Sequence, residues 1–328
     1  MKLTVGRALQ FFLLMVFTIF CVVACGNNSL KTTTPLSSSL PVSEYHLVNH
    51  AMGATKVPVS PQRIVTLDGS AIENVLALGG KPVGTVLNGS LDEQPAYLRE
   101  SLADAKLLGS FEQQNLEKIL ALKPDLILGD KGISENIYPQ LSQIAPTVLA
   151  EYNASDSWKE MLKLHAEALG KSKAAEQIIG KYYARLAQFK AQMGAQLKAT
   201  EVSVVRIYPE GISLYQKGSF SGSILEDAGL YRPGSQRGEE VQQHISKERI
   251  RDADGDVIFV WSYSDDYKGD IQSQQTISQK LKADPLWLKL KAVKQEKVYE
   301  VPDYWIGFGP LAADAVVNDL FKYLVNKP

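Results

Sequence analysis

The sequence predicts an α/β fold of two lobes bridged by one long helix, on three observations. Between Lys171 and Leu197, apolar residues recur at Ala175, Ile178, Tyr182, Leu186, Phe189, Met193 and Leu197. Spacings of three and four make one stripe along an amphipathic helix. At 1.5 Å per residue the stretch spans about 40 Å, enough to brace two lobes. Short β-branched strands alternate with helices both before and after it, the pattern of mainly parallel sheets. The two flanks also echo each other. Gly69-Ser-Ala-Ile-Glu73 is answered by Gly222-Ser-Ile-Leu-Glu226, and Pro124-Asp-Leu-Ile-Leu128 by Asp254-Gly-Asp-Val-Ile-Phe259. The competing arrangement is a crossover helix inside one large sheet.

Lys2 and Arg7 precede an apolar run, Ala8 to Ala24, with the length of a secretory signal rather than of a spanning helix. It closes on Val22-Val-Ala-Cys25-Gly26, which resembles the bacterial lipobox, with Val22 where leucine is usual. Residues 1–24 are therefore expected as signal peptide and Cys25 as the lipidated N-terminus, so the protein is exported. Residues 25–44, rich in Ser, Thr, Asn and Pro, form a tether with a reach of roughly 20–25 Å.

The first lobe is expected over 45–156. Its strands are Arg63–Leu67, Pro82–Leu87, Asp125–Leu128 and Pro146–Leu149, and its helices run from Ala71 to Gly79 and from Asn115 to Leu122. Residues 157–197 hold a short helix, opened by Ser157 and Glu160 at capping-box spacing, and then the strut. The second lobe, 198–328, has strands Glu201–Ile207, Ile212–Tyr215, Asp256–Trp261 and Lys297–Val301, with helices Ser223–Ala228 and Leu311–Leu324.

In such sheets ligands meet the carboxyl ends of the strands, and clefts between lobes are favoured pockets. That rule selects Asp68 to Ser70, Asn88, Asp130 and Lys131 from the first lobe. From the second it selects Arg206 to Tyr208, Trp261 to Tyr263, Tyr304 and Trp305. Tyr215 and Arg237 are further candidates; Arg237 lies in the polar loop Pro233 to Gly238. Aromatics with an arginine suit stacking on a flat ligand and pairing with a carboxylate.

Several chemistries are set aside. With 35 basic and 36 acidic residues the net charge is −1, so nothing draws the chain generally to nucleic acid. The only cysteines, Cys21 and Cys25, leave the body without a disulfide or a thiol nucleophile. His46, His50, His165 and His244 form no ligand set, so neither a metal site nor a resident cofactor is expected. Asp252-x-Asp254-Gly-Asp256 lacks the rest of a calcium loop and reads as a turn. Gly218-Ser-Phe-Ser-Gly222 has Phe220 where a nucleophile elbow needs serine. An exported hydrolase therefore has no identifiable nucleophile and base, and an enzyme is not expected. A membrane-tethered ligand sensor remains the reading from another class.

Pro61-Gln-Arg63-Ile-Val-Thr-Leu, the block Leu116-Glu117 to Leu128, the strut, and Trp305-Ile-Gly-Phe-Gly-Pro310 with its closing helix together resemble the ferric-siderophore-binding lipoproteins of ABC importers. These are the helix-linked, class III periplasmic-binding type. The resemblance implies two Rossmann-like lobes bridged by one helix, a monomer with small closure, and a ferric siderophore held between the lobes. It also implies an ABC permease dimer as partner, docked through one glutamate per lobe, here Glu73 and Glu226. An arginine at the strand end of Arg206 would pair with the chelate. Arg206, with Arg237 and Lys131, suits an anionic complex such as a citrate-based hydroxamate, with cobalamin or haem the runner-up ligands.

Overall fold

In the computed structural model the described residues are 44–151, 157–208, 211–262 and 279–326. Cys25, the signal segment and Tyr263 lie outside them. A hairpin comes first, β1 (Tyr45–His50) and β2 (Gly53–Pro58), in a stretch where no strand was expected. The first lobe follows as β3 (Ile64–Thr66), α1 (Gly69–Ala77), β4 (Gly84–Thr85), α2 (Ala96–Leu102), β5 (Lys106–Leu107), α3 (Leu116–Ala121), β6 (Leu126–Asp130), α4 (Tyr138–Ile144) and β7 (Thr147–Ala150). Two helices connect, α5 (Ser157–Ala168) and α6 (Ser172–Met193). The second lobe contains β8 (Val202–Ile207), β9 (Ile212–Tyr215), α7 (Phe220–Asp227), β10 (Gln242–Ile245), β11 (Val257–Ser262), β12 (Val298–Glu300) and α8 (Pro310–Leu320).

The first sheet has the order β5-β4-β3-β6-β7 and is parallel throughout. The second repeats that order as β10-β9-β8-β11-β12. Its β8, β11 and β12 are parallel, but β9 runs antiparallel to β8 and β10 antiparallel to β9, because only four residues separate Ile207 from Ile212, too few for a crossover between β8 and β9. In both sheets the order reverses beside the central strand, between β3 and β6 and between β8 and β11. These reversals are the switch points where ligand crevices open.

The motif halves that flank β3 and β6 meet in space. Asp125 accepts hydrogen bonds from the backbone N–H groups of Gln62 and Arg63 at 2.8 Å each, while the Arg63 guanidinium donates to the Leu122 carbonyl at 2.6 Å. These matched residues hold the sheet's amino-terminal edge.

The stripe on α6 is buried at Ala175, Tyr182, Leu186, Phe189 and Met193, but the helix stops at Met193, four residues earlier than its apolar period suggests. Gly194 takes φ +52°, and a 3₁₀ segment, Gly194–Ala199, carries the chain into β8. Leu197 still packs because a tighter turn keeps it near the core. One hydrophobic cluster contains Leu126 and Leu128 of the first sheet, the α6 stripe, and Val202, Val204 and Phe259 of the second. A buried ion pair adds a polar tie: Lys159 on α5 meets Asp227 on α7 at 2.8 Å, and the Tyr182 hydroxyl donates to the same carboxylate at 2.8 Å.

Candidate functional site

A cavity of about 340 Å³ takes its wall from both lobes. Asp68 and Asp130 stand at the carboxyl ends of β3 and β6, the first switch point, with Phe111 and Ile133 beside them. Trp158 and Met161, three apart on one face of α5, form the floor, and Phe220 and Phe308 enter from the second lobe. Phe308 is 50% exposed and Ile133 38%, so the cavity opens to solvent between them.

Asp68 does two things. Its Oδ1 caps α1, accepting from the Ser70 and Ala71 N–H groups at 2.7 and 3.0 Å and from the Ser70 hydroxyl at 2.7 Å. Its Oδ2 is buried without a hydrogen-bond partner. Burial pushes the carboxyl above its ordinary range, against those hydrogen bonds.

The second switch point holds Arg206 on β8 opposite Trp261 on β11. Arg206 donates to the Tyr215 hydroxyl at 3.1 Å and lies 5.0 Å from the Tyr208 ring centre. Trp261 packs edge-on to Tyr215 at 4.8 Å and is 6% exposed. Arg206, Tyr208, Tyr215 and Trp261 are thus brought together, but with Tyr215 and Trp261 as buried supports for the arginine rather than as a stacking surface.

Trp305 and Arg237 are corrected. Trp305 is fully buried, stacked on Phe259 at 4.3 Å, with its indole N–H donated to Asp319 at 2.9 Å. Asp319 also accepts the Tyr304 hydroxyl at 2.8 Å, so this aromatic pair anchors α8 in the core. Arg237 pairs with Glu201 at 3.1 Å. Glu201 precedes β8 while Arg206 nears its end, and at 3.3 Å per residue the two ends lie roughly 16 Å apart. Lys131 pairs with Glu151 at 3.2 Å. Of the three cations expected at the cleft, Arg206 stands at a switch point, whereas Arg237 and Lys131 are held in ion pairs with Glu201 and Glu151.

Glu73 is also corrected. It is 1% exposed, so it presents no carboxylate to a docking partner. Its Oε1 accepts from the Tyr97 hydroxyl at 3.1 Å and the Phe308 N–H at 3.3 Å, and its Oε2 from the Ala312 N–H at 2.9 Å. The side chain therefore joins α1 of the first lobe to the amino end of α8 in the second. A Cβ on Gly309 would lie 2.7 Å from the Glu73 Cβ, so this approach requires glycine. Burial lifts the Glu73 carboxyl to about 7, opposed by the backbone and tyrosine donors.

Neither Ser70 nor Ser223, each three residues before its glutamate, is a helix cap: Asp68 caps α1, and Ser219 caps α7 by accepting from the Gly222 N–H at 2.9 Å. Glu73 is thus five residues past its cap and Glu226 seven past its own. The two are not equivalent positions, although Glu226 is exposed and pairs with Lys217 at 3.1 Å.

Topology supplies an equivalent pair instead. The connection from β5 to β6 carries α3, capped by Asn115 with Glu117 in its first turn. The matching connection from β10 to β11 carries the 3₁₀ segment Lys247–Ala253, preceded by Ser246 with Glu248 in its first turn. Both glutamates are exposed.

The cavity's aromatics were missed. Phe220 and Phe308 each sit in a noted segment, beside glycines that precede or open a helix, and that setting was the available signal. Trp158 and Met161 are spaced like any buried helix face.

A profile of the periplasmic binding protein family matches residues 64–305. The chain is 35% identical over 323 residues to the probable siderophore-binding lipoprotein YfiY of Bacillus subtilis, covering 95% of this chain and 97% of the relative. It is 26% identical over 295 residues to the Fe(3+) dicitrate-binding periplasmic protein FecB of Escherichia coli, covering 86% and 94%. Staphylococcus aureus SirA, solved with staphyloferrin B, superposes with a TM-score of 0.74 at 32% identity over 85% of this chain and 98% of that one. Bacillus subtilis FeuA, solved with ferri-bacillibactin, gives 0.71 at 26% identity over 86% and 98%.

Proposed function

The chain belongs to the periplasmic binding protein family, and from that premise we propose that it captures a ferric siderophore between its lobes and delivers it to an ABC permease. It works outside the cytoplasm, as the lipoprotein and periplasmic relatives do, held to the membrane through lipidated Cys25. The observation that carries the reading is one cavity walled by both lobes at the first sheet's switch point. Relatives and structural neighbours of this fold are named for ferric chelates. The iron arrives already chelated, so the protein contributes shape and hydrogen bonds rather than metal ligands. Arg206, braced by Tyr215, supplies the cationic contact at the second switch point. Delivery uses one exposed glutamate from each lobe, for which the topologically matched Glu117 and Glu248 serve better than a pair containing buried Glu73. The protein acts as a monomer, presenting both glutamates to the two halves of the permease.

The test is a titration of residues 26–328, read by tryptophan fluorescence, with ferric citrate, ferric hydroxamates, ferric catecholates, haem and cobalamin. Saturable quenching by a ferric chelate is expected, weakened about tenfold in Arg206→Ala, as for loss of a charge-assisted contact of about 1.4 kcal/mol. A response confined to haem or cobalamin overturns the siderophore reading, and a response to none of them favours a sensor.

A further inference from the structure

Among the described residues, the cavity wall carries buried polar atoms without a hydrogen bond, and two of them differ in kind. One is an acceptor, Asp68 Oδ2, on a residue 4% exposed. The other is a donor, the Trp158 indole Nε1, on a residue 3% exposed. Burial raises the Asp68 carboxyl, opposed by its Ser70, Ala71 and Asp130 donors, and none of these donors closes a hydrogen bond to Oδ2. The rest of the wall is chiefly aromatic and aliphatic, with Phe220 and Phe308 facing the first lobe. Buried polar groups are ordinarily satisfied, and an unsatisfied one on a cavity wall marks where a ligand or ordered water completes the bonding. Two of opposite kind in one cavity ask for a guest that both donates and accepts. At about 340 Å³ the space is near the lower end for small-molecule sites, and it suits one arm of a chelate.

Resting on the siderophore reading above, we infer that this cavity receives an uncharged, aromatic or aliphatic arm of the chelate bearing a hydroxyl or amide, which donates to Asp68 Oδ2 and accepts from Trp158 Nε1. The same wall discriminates against an arm ending in a carboxylate. Among the described residues no lysine or arginine lines the cavity, so an arm carboxylate would give up its water in an apolar space without a cation to pair with. Selectivity among ferric chelates is thus set by the arm, while Arg206 senses the charged iron centre.

The substitution Asp68→Asn tests this directly. Asparagine caps a helix as well as aspartate does, so Oδ1 continues to hold α1 while the orphan acceptor becomes a donor. Trp158→Phe removes the indole N–H and keeps the ring. The probes are two synthetic ferric trihydroxamates with the same iron-binding groups, one ending in benzamide and the other in benzoate. The wild-type protein is expected to bind the benzamide chelate at least tenfold more tightly. Asp68→Asn should bring that ratio to threefold or less, mainly by tightening the benzoate chelate. Trp158→Phe should weaken the benzamide chelate about fivefold. The indole N–H resonance of Trp158, assigned by its loss in Trp158→Phe, should shift on adding the benzamide chelate and not on adding the benzoate chelate. Binding of both chelates with a ratio near one, unmoved by Asp68→Asn, overturns the arm assignment and leaves the siderophore reading standing. Binding of neither, alongside no response to any ferric chelate in the broader titration, overturns both.

Discussion

Glu73 and His165 are the two buried groups whose protonation the fold alters most consequentially. Burial lifts the Glu73 carboxyl to about 7, so folding favours its protonated form. That contribution is whole below the unfolded carboxyl value, near 4.5, and is lost as pH rises through about 7. Burial pushes His165, bonded to Asn74 at 2.9 Å, down to about 4. Its contribution is whole above the unfolded value, near 6.5, and is lost as pH falls toward 4. The slopes oppose each other between about 4.5 and 6.5 and partly cancel. Glu73→Gln removes one of them. The variant should gain stability with rising pH across that window, and above pH 7 it should escape a penalty bounded at about 3 kcal/mol. Its baseline is lower, because an amide can accept only one of the two backbone N–H groups that the carboxylate serves. Urea midpoints from pH 4.5 to 8 check this, and variant and wild-type curves that stay parallel refute it.

Among the elements, α5, α6 and α7 are joined by the Lys159–Asp227 pair and the Tyr182 hydroxyl. The Lys159 side chain is 7% exposed, so losing Asp227 takes that counter-charge from a buried ammonium, to which the Tyr183 hydroxyl at 3.0 Å is a neutral partner. Asp227→Ala should cost about 3 kcal/mol of unfolding free energy, whereas replacing both partners, as Lys159→Met with Asp227→Leu, should be near neutral. Chemical denaturation measures both, and a single-variant loss under 1 kcal/mol would show that packing alone holds the three helices. The stripe that builds α6 was legible from its period. Its end was not, because a glycine at positive φ stops the helix while the apolar spacing runs on to Leu197. β4 lies inside the expected strand Pro82–Leu87, whereas two-residue β5 carries no period and the β1–β2 hairpin buries too few residues to alternate clearly.

Across the whole molecule, a core that runs from the first sheet through α6 to the second and a Glu73 bridge from α1 to α8 leave the lobes little independent motion. Ligand capture therefore relies on a preformed cavity, with small closure as a shear of packed helices. Glu117 and Glu248, the proposed docking pair, lie in the crossovers before β6 and β11 and not on the cavity wall, so docking can be tested apart from capture. Glu117→Ala with Glu248→Ala should leave chelate affinity within twofold while abolishing iron uptake through the permease. Uptake that persists, or is lost equally in Glu226→Ala alone, would reject the matched pair.

The sequence by itself determined the α/β class, the long bridging helix and the strand ends, at Asp68 and Asp130, that border the cavity. All of these follow from local periodicity, composition and the order of elements. Arg206 and Asp68 were placed correctly at strand ends because that rule needs only a strand and its direction. Tertiary structure alone decided which of the selected side chains face a shared space. Trp305 and Trp158 have the same chemistry, yet one is sealed against Phe259 and Asp319 and the other borders a cavity. Glu73 and Glu117 are both glutamates on short helices of the first lobe, yet α8 covers one and solvent meets the other. Burial depends on what a distant segment brings against a residue, and no local pattern encodes that contact.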